Sequence, residues 1–285
     1  MAPIPESYAS PLHLPFNVTC LGDFTREPRD ADPGTPGLWL MLRGTDLLLR
    51  EGANGLDLPA GPCPIATSAP PLFLGHLHGQ PLRALPLPRE ASPPEGHILE
   101  NLLTNQPRMD IAHLSLGGLA AQALHWEENS RCCSRCGSET RDVPGDGGKK
   151  CKSCGYVHYP HIHPCVIVIV RRPGEVLLIR KAIWPEGRYS LVAGFLDFGE
   201  CLEEAVAREV QEETGVRVTN IRYIGSQGWP FPSQLMAGFV ADYVDGEVRV
   251  QESELEDARW FPVDALPTLP PKRSIARYLI DKYCC

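Results

Sequence analysis

Two short cysteine pairs, CSRCG and CKSCG, constrain this chain more than any other feature. They place Cys133, Cys136, Cys151 and Cys154 as two C-x-x-C units with fourteen residues between them. Two intervening residues let both thiolates of a pair converge on one ion. Gly137 and Gly155 follow their pairs, where a tight turn under a metal suits a residue without a Cβ. Four thiolates make a closed tetrahedral shell, the pattern of a structural zinc rather than a catalytic one. The rival is a redox role for one pair, which two pairs with matching glycines disfavour. Cys132 is an extra neighbour able to compete as a ligand. One Zn²⁺ per chain is therefore expected, with residues 131–163 folded around it.

The remaining cysteines bear on the setting. The chain of 285 residues has 11, an odd number, and the N-terminus MAPIPESYASPLHLPF lacks the basic start and continuous apolar core of a signal peptide. Reduced thiols, metal binding and a cytoplasmic location are expected rather than a disulfide framework. For the same reason the Asn-Val-Thr triplet at Asn17 is not read as a glycosylation site, nor the terminal Cys284-Cys285 as a prenylation signal. No apolar run reaches the length of a membrane span. A net charge of −8 argues against broad, sequence-independent nucleic-acid binding.

Along the chain, residues 1–108 are rich in proline and glycine, with apolar runs LWLML, LLLR and PLFLGHL set off by turn residues. These predict a small, mostly-β N-terminal domain. Residues 111–129 predict a helix, weakened by Gly117 and Gly118, within a linker of residues 109–130. After the cysteine module, residues 164–285 mix strand-like runs (CVIVIVRR, EVLLIR, LMAGFVADYV) with two helical segments, LEEAVAREVQEET and KRSIARYLIDKY. That mixture predicts an α+β domain. No internal repeat is visible.

The first of those helical segments carries the chemistry. On a helical wheel of about 100° per residue, Glu209, Glu212 and Glu213 fall within roughly 80° of Leu202, on the face of Ala205 and Val206. A solvated charge run would sit on the other side, with Glu204, Arg208 and Gln211. Carboxylates on the inner face repel one another and are costly to bury, so a cation must compensate them. Oxygen-only ligands suit Mg²⁺ or Mn²⁺, usually a device for holding phosphates.

Residues 194–216, GFLDFGECLEEAVAREVQEETGV, match Gly-x5-Glu-x7-Arg-Glu-aliphatic-x-Glu-Glu-x-Gly-aliphatic at every fixed position, from Gly194 to Gly215. A chance match is on the order of 10⁻⁷. The segment resembles the signature box of Nudix hydrolases. The resemblance implies an α/β/α sandwich with a mixed sheet and hydrolysis of a nucleoside diphosphate linked to another group. It also implies that Glu200 and Arg208 lock the loop to the helix, that Gly194 and Gly199 shape the loop, and that Glu209, Glu212 and Glu213 bind the catalytic metal, one of them serving as base. Downstream, SQGWPFPSQLM resembles the S-Q-P-W-P-F-P-x-S-L-M array of the NADH pyrophosphatase branch, to which a four-cysteine ribbon also belongs. This second resemblance covers residues 109–282. It implies cleavage of NADH and NAD to nicotinamide mononucleotide and AMP, removal of NAD caps from RNA 5′ ends in some members, and a homodimer.

Carried over residue by residue, the resemblance implies that Ala193 lends its carbonyl to a metal and Glu254 adds a carboxylate. Phe195 and Tyr159 would clamp the nicotinamide ring, Tyr159 from the same or the other subunit. Gln227, Gly228, Trp229, Pro230, Phe231, Pro232, Ser233 and Gln234 would line the substrate cleft, with Ala276 touching it through its backbone. Aromatic residues flanked by prolines are pre-ordered platforms for flat rings, which agrees in kind. Two residues depart from the array. Gly228 replaces a proline, which is expected to loosen the loop, and Gln234 replaces a serine. Two other functions stay open on the sequence. One is a pyrophosphatase for ADP-ribose or other dinucleotides. The other is an RNA-end binding or decapping factor using a basic patch of Arg131, Arg135, Lys149, Lys150 and Lys152.

Overall fold

The structure is a computed structural model that describes residues 4–53, 55–67, 69–251 and 253–284. The chain divides into two compact units. The first comprises Val18–Ile162 with Pro230–Ser233; the second comprises Pro5–Asn17, His163–Trp229 and the chain from Gln234. Residues 5–17, assigned from sequence to the N-terminal domain, thus group with the C-terminal part.

The first unit is built on strands β1 (Phe24–Arg26), β2 (Gly37–Arg43), β3 (Asp46–Gly52), β4 (Gly55–Asp57), β5 (Ala60–Gly61), β6 (Leu72–Leu77), β7 (Gln80–Pro86) and β8 (His97–Asn101). They form one sheet in the order β1-β6-β7-β2-β3-β4, with β5 beside β2 and β8 beside β3. The three apolar runs noted in the sequence lie in β2, β3 and β6. Gly44, at φ +61°, lets the chain reverse between β2 and β3. Helix α1 (Ile111–Asn129) packs on β2 and β7. Its first turn is capped by the Asp110 carboxylate, which accepts from the His113 N–H at 2.8 Å. Gly117, which propensity counts against the helix, is closely packed against residues of the sheet domain. A Cβ there would lie 2.6 Å from Leu102 Cδ2 and 3.1 Å from Leu47 Cδ2. Close packing outweighs a propensity cost of about 1 kcal/mol. Three short strands, β9 (Thr140–Asp142), β10 (Lys149–Cys151) and β11 (Val157–His158), complete this unit as a small antiparallel sheet around the cysteines.

The second unit holds β12 (His163–Arg172), β13 (Glu175–Arg180), β14 (Val192–Phe195), α2 (Leu202–Thr214), β15 (Arg217–Trp229), β16 (Gln234–Asp245), β17 (Asp257–Pro262) and α3 (Ile275–Tyr283). Its sheet runs β15-β16-β12-β13-β17, with β14 beside β12. β12 and β16 are parallel and the other pairs antiparallel, so the sheet is mixed. Side chains alternate between faces along a strand. Val166, Val168 and Val170 of β12 and Ala237, Phe239 and Ala241 of β16 pack with Ala205, Val206 and Val210 of α2. The opposite face of β16 meets α3: a Cβ at Gly238 would lie 2.8 Å from Ile275 Cδ1. The alternation puts the two helices on opposite faces, giving the α/β/α sandwich.

The two sheets share one plan. In each, the first long strand (β2, β12) forms a hairpin with the second (β3, β13), lies parallel to the last of a later hairpin (β7, β16), and that strand pairs antiparallel with its predecessor (β6, β15). A further strand then joins the second (β8, β17), and a helix follows on the first and last (α1, α3). The chain therefore contains a structural repeat that the sequence does not display. Topology depends on the alternation of apolar positions, which tolerates wide changes of residue. The copies differ in one respect that matters. The second carries α2 between its two hairpins, whereas among the described residues the first has no helix between β5 and β6. No helix among the described residues is long and apolar enough to cross a membrane.

Candidate active site

Helix α2 begins at a capping box. The Cys201 N–H donates to Glu204 Oε2 at 2.9 Å. It ends at Gly215, whose φ of +73° needs a residue without a Cβ. The loop before it is fastened by Glu200. That carboxylate accepts from the Asp197 N–H at 2.8 Å and from Arg208 Nε and Nη2 at 2.5 and 2.9 Å. The Arg208 guanidinium beside it holds the Glu200 carboxyl down at about 2. Arg208 Nη2 also donates to the Phe195 carbonyl at 2.8 Å, tying β14 to the helix.

Glu209 and Glu213 point into the protein, as the wheel requires, with side chains 12% and 1% exposed. Glu212 does not. It lies at the edge of the arc and its side chain is 53% exposed. Arg208 stems from the outer side of the helix, yet Nη1 reaches round to Glu209 Oε1 and Glu212 Oε2, both at 2.9 Å. Gly194 is the floor on which Glu209 lies: a Cβ there would fall 1.9 Å from Glu209 Cδ. Any other residue would displace the carboxylate. Its neighbour Ala193 lies opposite Ile167 in the β12–β14 register.

Burial raises the Glu209 carboxyl above its ordinary value and pushes Glu213 up to about 7. Exposed Glu254 adds repulsion to both. Neither oxygen of Glu213 has a hydrogen-bond donor. The cation facing it is Lys181, with Nζ 3.7 Å from Oε1. Lys181 carried no signal in the sequence, because its proximity to Glu213, 3.7 Å in the folded chain, arises only from tertiary packing. A buried carboxylate without donors is expensive, and a hard divalent cation is the partner that would repay it. The donor set is all oxygen, so the residues fit Mg²⁺ or Mn²⁺. Among the described residues these carboxylates are not drawn together within 4.8 Å; only the four cysteines are.

The four cysteines are drawn together closely enough to hold one metal ion. Cys133 and Cys154 Sγ are 3.7 Å apart and Cys136 and Cys151 Sγ are 3.5 Å apart, with all four within 4.8 Å. A tetrahedron of Zn–S bonds near 2.3 Å has S···S edges of about 3.8 Å. Backbone N–H groups of Arg135, Ser153 and Cys154 donate to the sulfurs, as thiolates need. Gly137 and Gly155 both take φ above +70°. Cys132 stands outside the cluster.

The aromatic array is split by the contact pattern. Ser226–Trp229 end β15 in the second unit, while Pro230, Phe231 and Pro232 line a cleft of about 1060 Å³ in the first, with Phe73, Pro86 and Leu124. Gln227, expected at the substrate, is fully buried. Its Nε2 donates to the Pro15 and Arg273 carbonyls at 2.9 and 2.8 Å, and its Oε1 accepts from the Ile275 N–H at 2.8 Å. These bonds tie the end of β15 to the N-terminus of α3 and to residue 15. Gly228, expected to loosen the loop, lies within β15 opposite Leu235. β15 is an edge strand, where a proline is tolerated because its position needs no partner strand. Glycine there restores an N–H, which donates to Asn17 Oδ1 at 2.9 Å. Asn17 Nδ2 donates in turn to the Pro11 and Ser226 carbonyls, and Phe16 meets Trp229 edge-on at 5.7 Å. Residues 11–17 thus strap the outer edge of β15, a role with no signature in the sequence. Ser233 and Ala276 are buried, and Gln234 opens β16 opposite Trp229. Phe195 in the second unit and Tyr159 in the first are each more than half exposed.

Comparison with known proteins agrees with this geometry. Residues 161–283 match the model of the NUDIX domain, and residues 36–126 match that of the NADH pyrophosphatase-like rudimentary NUDIX domain. The NAD-capped RNA hydrolase NudC of Pseudomonas fluorescens is 41% identical over 261 residues, spanning 88% of this chain and 91% of its own length. The chain belongs to the Nudix hydrolase family. Proteins with the same description from Pseudomonas aeruginosa and Chromobacterium violaceum are 44% and 39% identical, over 74% and 90% of this chain and 75% and 95% of theirs. Among solved structures, a NUDIX hydrolase from Nitrosomonas europaea is 32% identical over 48% of this chain and 80% of its own, with a TM-score of 0.43. The rudimentary domain of this Nudix hydrolase spans β2 to α1, the copy with no helix between β5 and β6 among the described residues.

Proposed function

We propose that this Nudix hydrolase cleaves the pyrophosphate of NADH and NAD to nicotinamide mononucleotide and AMP, and that it removes NAD caps from RNA. The supporting observation is the buried, donor-free carboxylate of Glu213 beside Glu209, in a chain that matches NAD-capped RNA hydrolases over about nine-tenths of its length. Glu209, Glu212 and Glu213, with Glu254 and the Ala193 carbonyl, hold Mg²⁺ or Mn²⁺. When bound, that ion neutralises pyrophosphate charge and acidifies a water molecule. Water attacks one phosphorus, the bridging P–O bond breaks, and a box glutamate accepts the proton. Arg208 and Glu200 keep the loop against the helix so that this geometry survives the repulsion among carboxylates. Phe195 and Tyr159 stack on the nicotinamide, with Tyr159 supplied by either subunit, while Gln227, Gly228, Trp229, Pro230, Phe231, Pro232, Ser233 and Gln234 shape the site, with Ala276 contributing backbone. Cys133, Cys136, Cys151 and Cys154 hold one Zn²⁺ that folds the ribbon. We read the working form as a homodimer, in a reducing cytoplasm that suits the chain's free thiols.

Product analysis on NADH, NAD, ADP-ribose and NAD-capped RNA with Mg²⁺ or Mn²⁺ tests this. Nicotinamide mononucleotide and AMP are expected from the first two, and a 5′-monophosphate RNA from the last. Efficient cleavage of ADP-ribose with NADH untouched would overturn the assignment.

A further inference from the structure

Two cations face the box carboxylates, and they are held in different ways. Arg208 is fully committed: its guanidinium donates to Glu200, Glu209, Glu212 and the Phe195 carbonyl. Lys181, the residue after β13, is not. Its ammonium sits 3.7 Å from Glu213 Oε1, an ion pair without a hydrogen bond, and Glu213 is its only acidic partner among the described residues. Its side chain is 32% exposed while that of Glu213 is 1% exposed. A partly solvent-exposed lysine on a flexible four-carbon stem thus reaches a buried carboxylate.

We propose that Lys181 changes partner during the reaction. It is the internal counter-ion of Glu213 before the divalent cation binds, and it becomes a contact for a phosphate oxygen of the dinucleotide afterwards. The inference rests on reading Glu213 as a metal ligand. A divalent cation at Glu213 takes over its charge and repels an ammonium a few ångströms away. The released ammonium stays tethered beside the site, and the pyrophosphate is the anion that arrives there. A compact charge with three rotatable donors suits a phosphate oxygen that approaches from solvent. A lysine that only neutralised a buried charge would have no part in substrate binding.

The two roles have opposite signs, which makes them separable. In the full-length protein, Lys181→Met removes a competitor of the metal, so Mn²⁺ should bind about fivefold more tightly. The same change removes a phosphate contact, so KM for NADH at saturating Mn²⁺ should rise about tenfold while kcat changes less than about threefold. Lys181→Arg should restore KM to within about twofold, since it also donates to phosphate. Mn²⁺ affinity is read directly from the electron paramagnetic resonance of free ion, independently of turnover. Lys181→Gln provides a second neutral variant should the methionine disturb folding, and the same pair of shifts is expected from it. Unchanged or weaker Mn²⁺ binding, or an unchanged KM, in the neutral variants would overturn the proposal. Glu213→Gln separates the two levels: it should lose Mn²⁺ affinity. If it binds Mn²⁺ as the wild type does, the metal-ligand reading fails; if it loses affinity while the Lys181 variants show no shifts, only the proposal fails.

Discussion

Replacing Glu213 by glutamine should make the protein more stable and less active, with a pH dependence that identifies the cause. The side chain is nearly inaccessible, neither oxygen has a donor, and its carboxyl titrates at about 7 instead of the ordinary 4.5. At about 1.36 kcal/mol per tenfold, that difference amounts to about 3 kcal/mol held against the folded state when the group is ionised. The sign follows from proton binding. Below pH 4.5 the carboxyl is protonated in both folded and unfolded chains and costs nothing. Between 4.5 and 7 the unfolded chain ionises first, so stability falls as pH rises, and above 7 the full penalty stands. A buried glutamine also lacks partners here, which offsets the gain by about 1–2 kcal/mol. Melting curves at pH 5 and pH 8 without added Mg²⁺ measure the balance. At pH 8 the variant should melt about 2–5 °C higher than wild type; at pH 5 it should melt no higher. Adding Mg²⁺ should stabilise wild type only, and kcat/KM should fall by at least about 100-fold in the variant. Equal destabilisation of the variant at both pH values would show that Glu213 is a structural hydrogen-bonding group, and near-normal turnover at saturating Mg²⁺ would remove it from the metal site.

Metal analysis of purified protein should find about one zinc per chain, and Cys136→Ser should lose it together with folding or assembly, because binding and folding are coupled in such modules. Phe195→Ala and Tyr159→Ala should lower kcat/KM for NADH by roughly 5- to 150-fold, the worth of a stacked ring, with much smaller losses for ADP-ribose. Equal losses for both substrates would make these rings packing. Asn17→Ala removes three hydrogen bonds at the edge of β15 and should cost about 1–2 kcal/mol, read as a lower urea midpoint; an unchanged midpoint would mean that the strap holds nothing.

The sequence by itself determined whatever depends on neighbours along the chain. The C-x-x-C spacing brings two sulfurs to one ion through the geometry of a single turn, and helical periodicity puts Glu209 and Glu213 beside Ala205 and Val206. The span Ile111–Asn129 was legible as a helix for the same reason. Where local periodicity was read too broadly it failed: Glu212, at the margin of the inner arc, faces solvent. Tertiary structure decided the rest. Gln227 belongs to a motif that resembles a substrate cleft, yet backbone groups of residues 15, 273 and 275 enclose its amide. Gly228 departs from that motif by a residue that weakens a loop in isolation, but Asn17, far away in sequence, accepts the N–H it exposes. The repeat of the sheet is hidden because a strand needs only alternating apolar positions, which many residue choices satisfy. Lys181 meets Glu213 only in the folded chain, and Gly117 is required because Leu47 and Leu102 close on it. Each of these contacts joins residues distant in sequence. Their energy lies in burial and partner geometry, which exist only once the chain has folded.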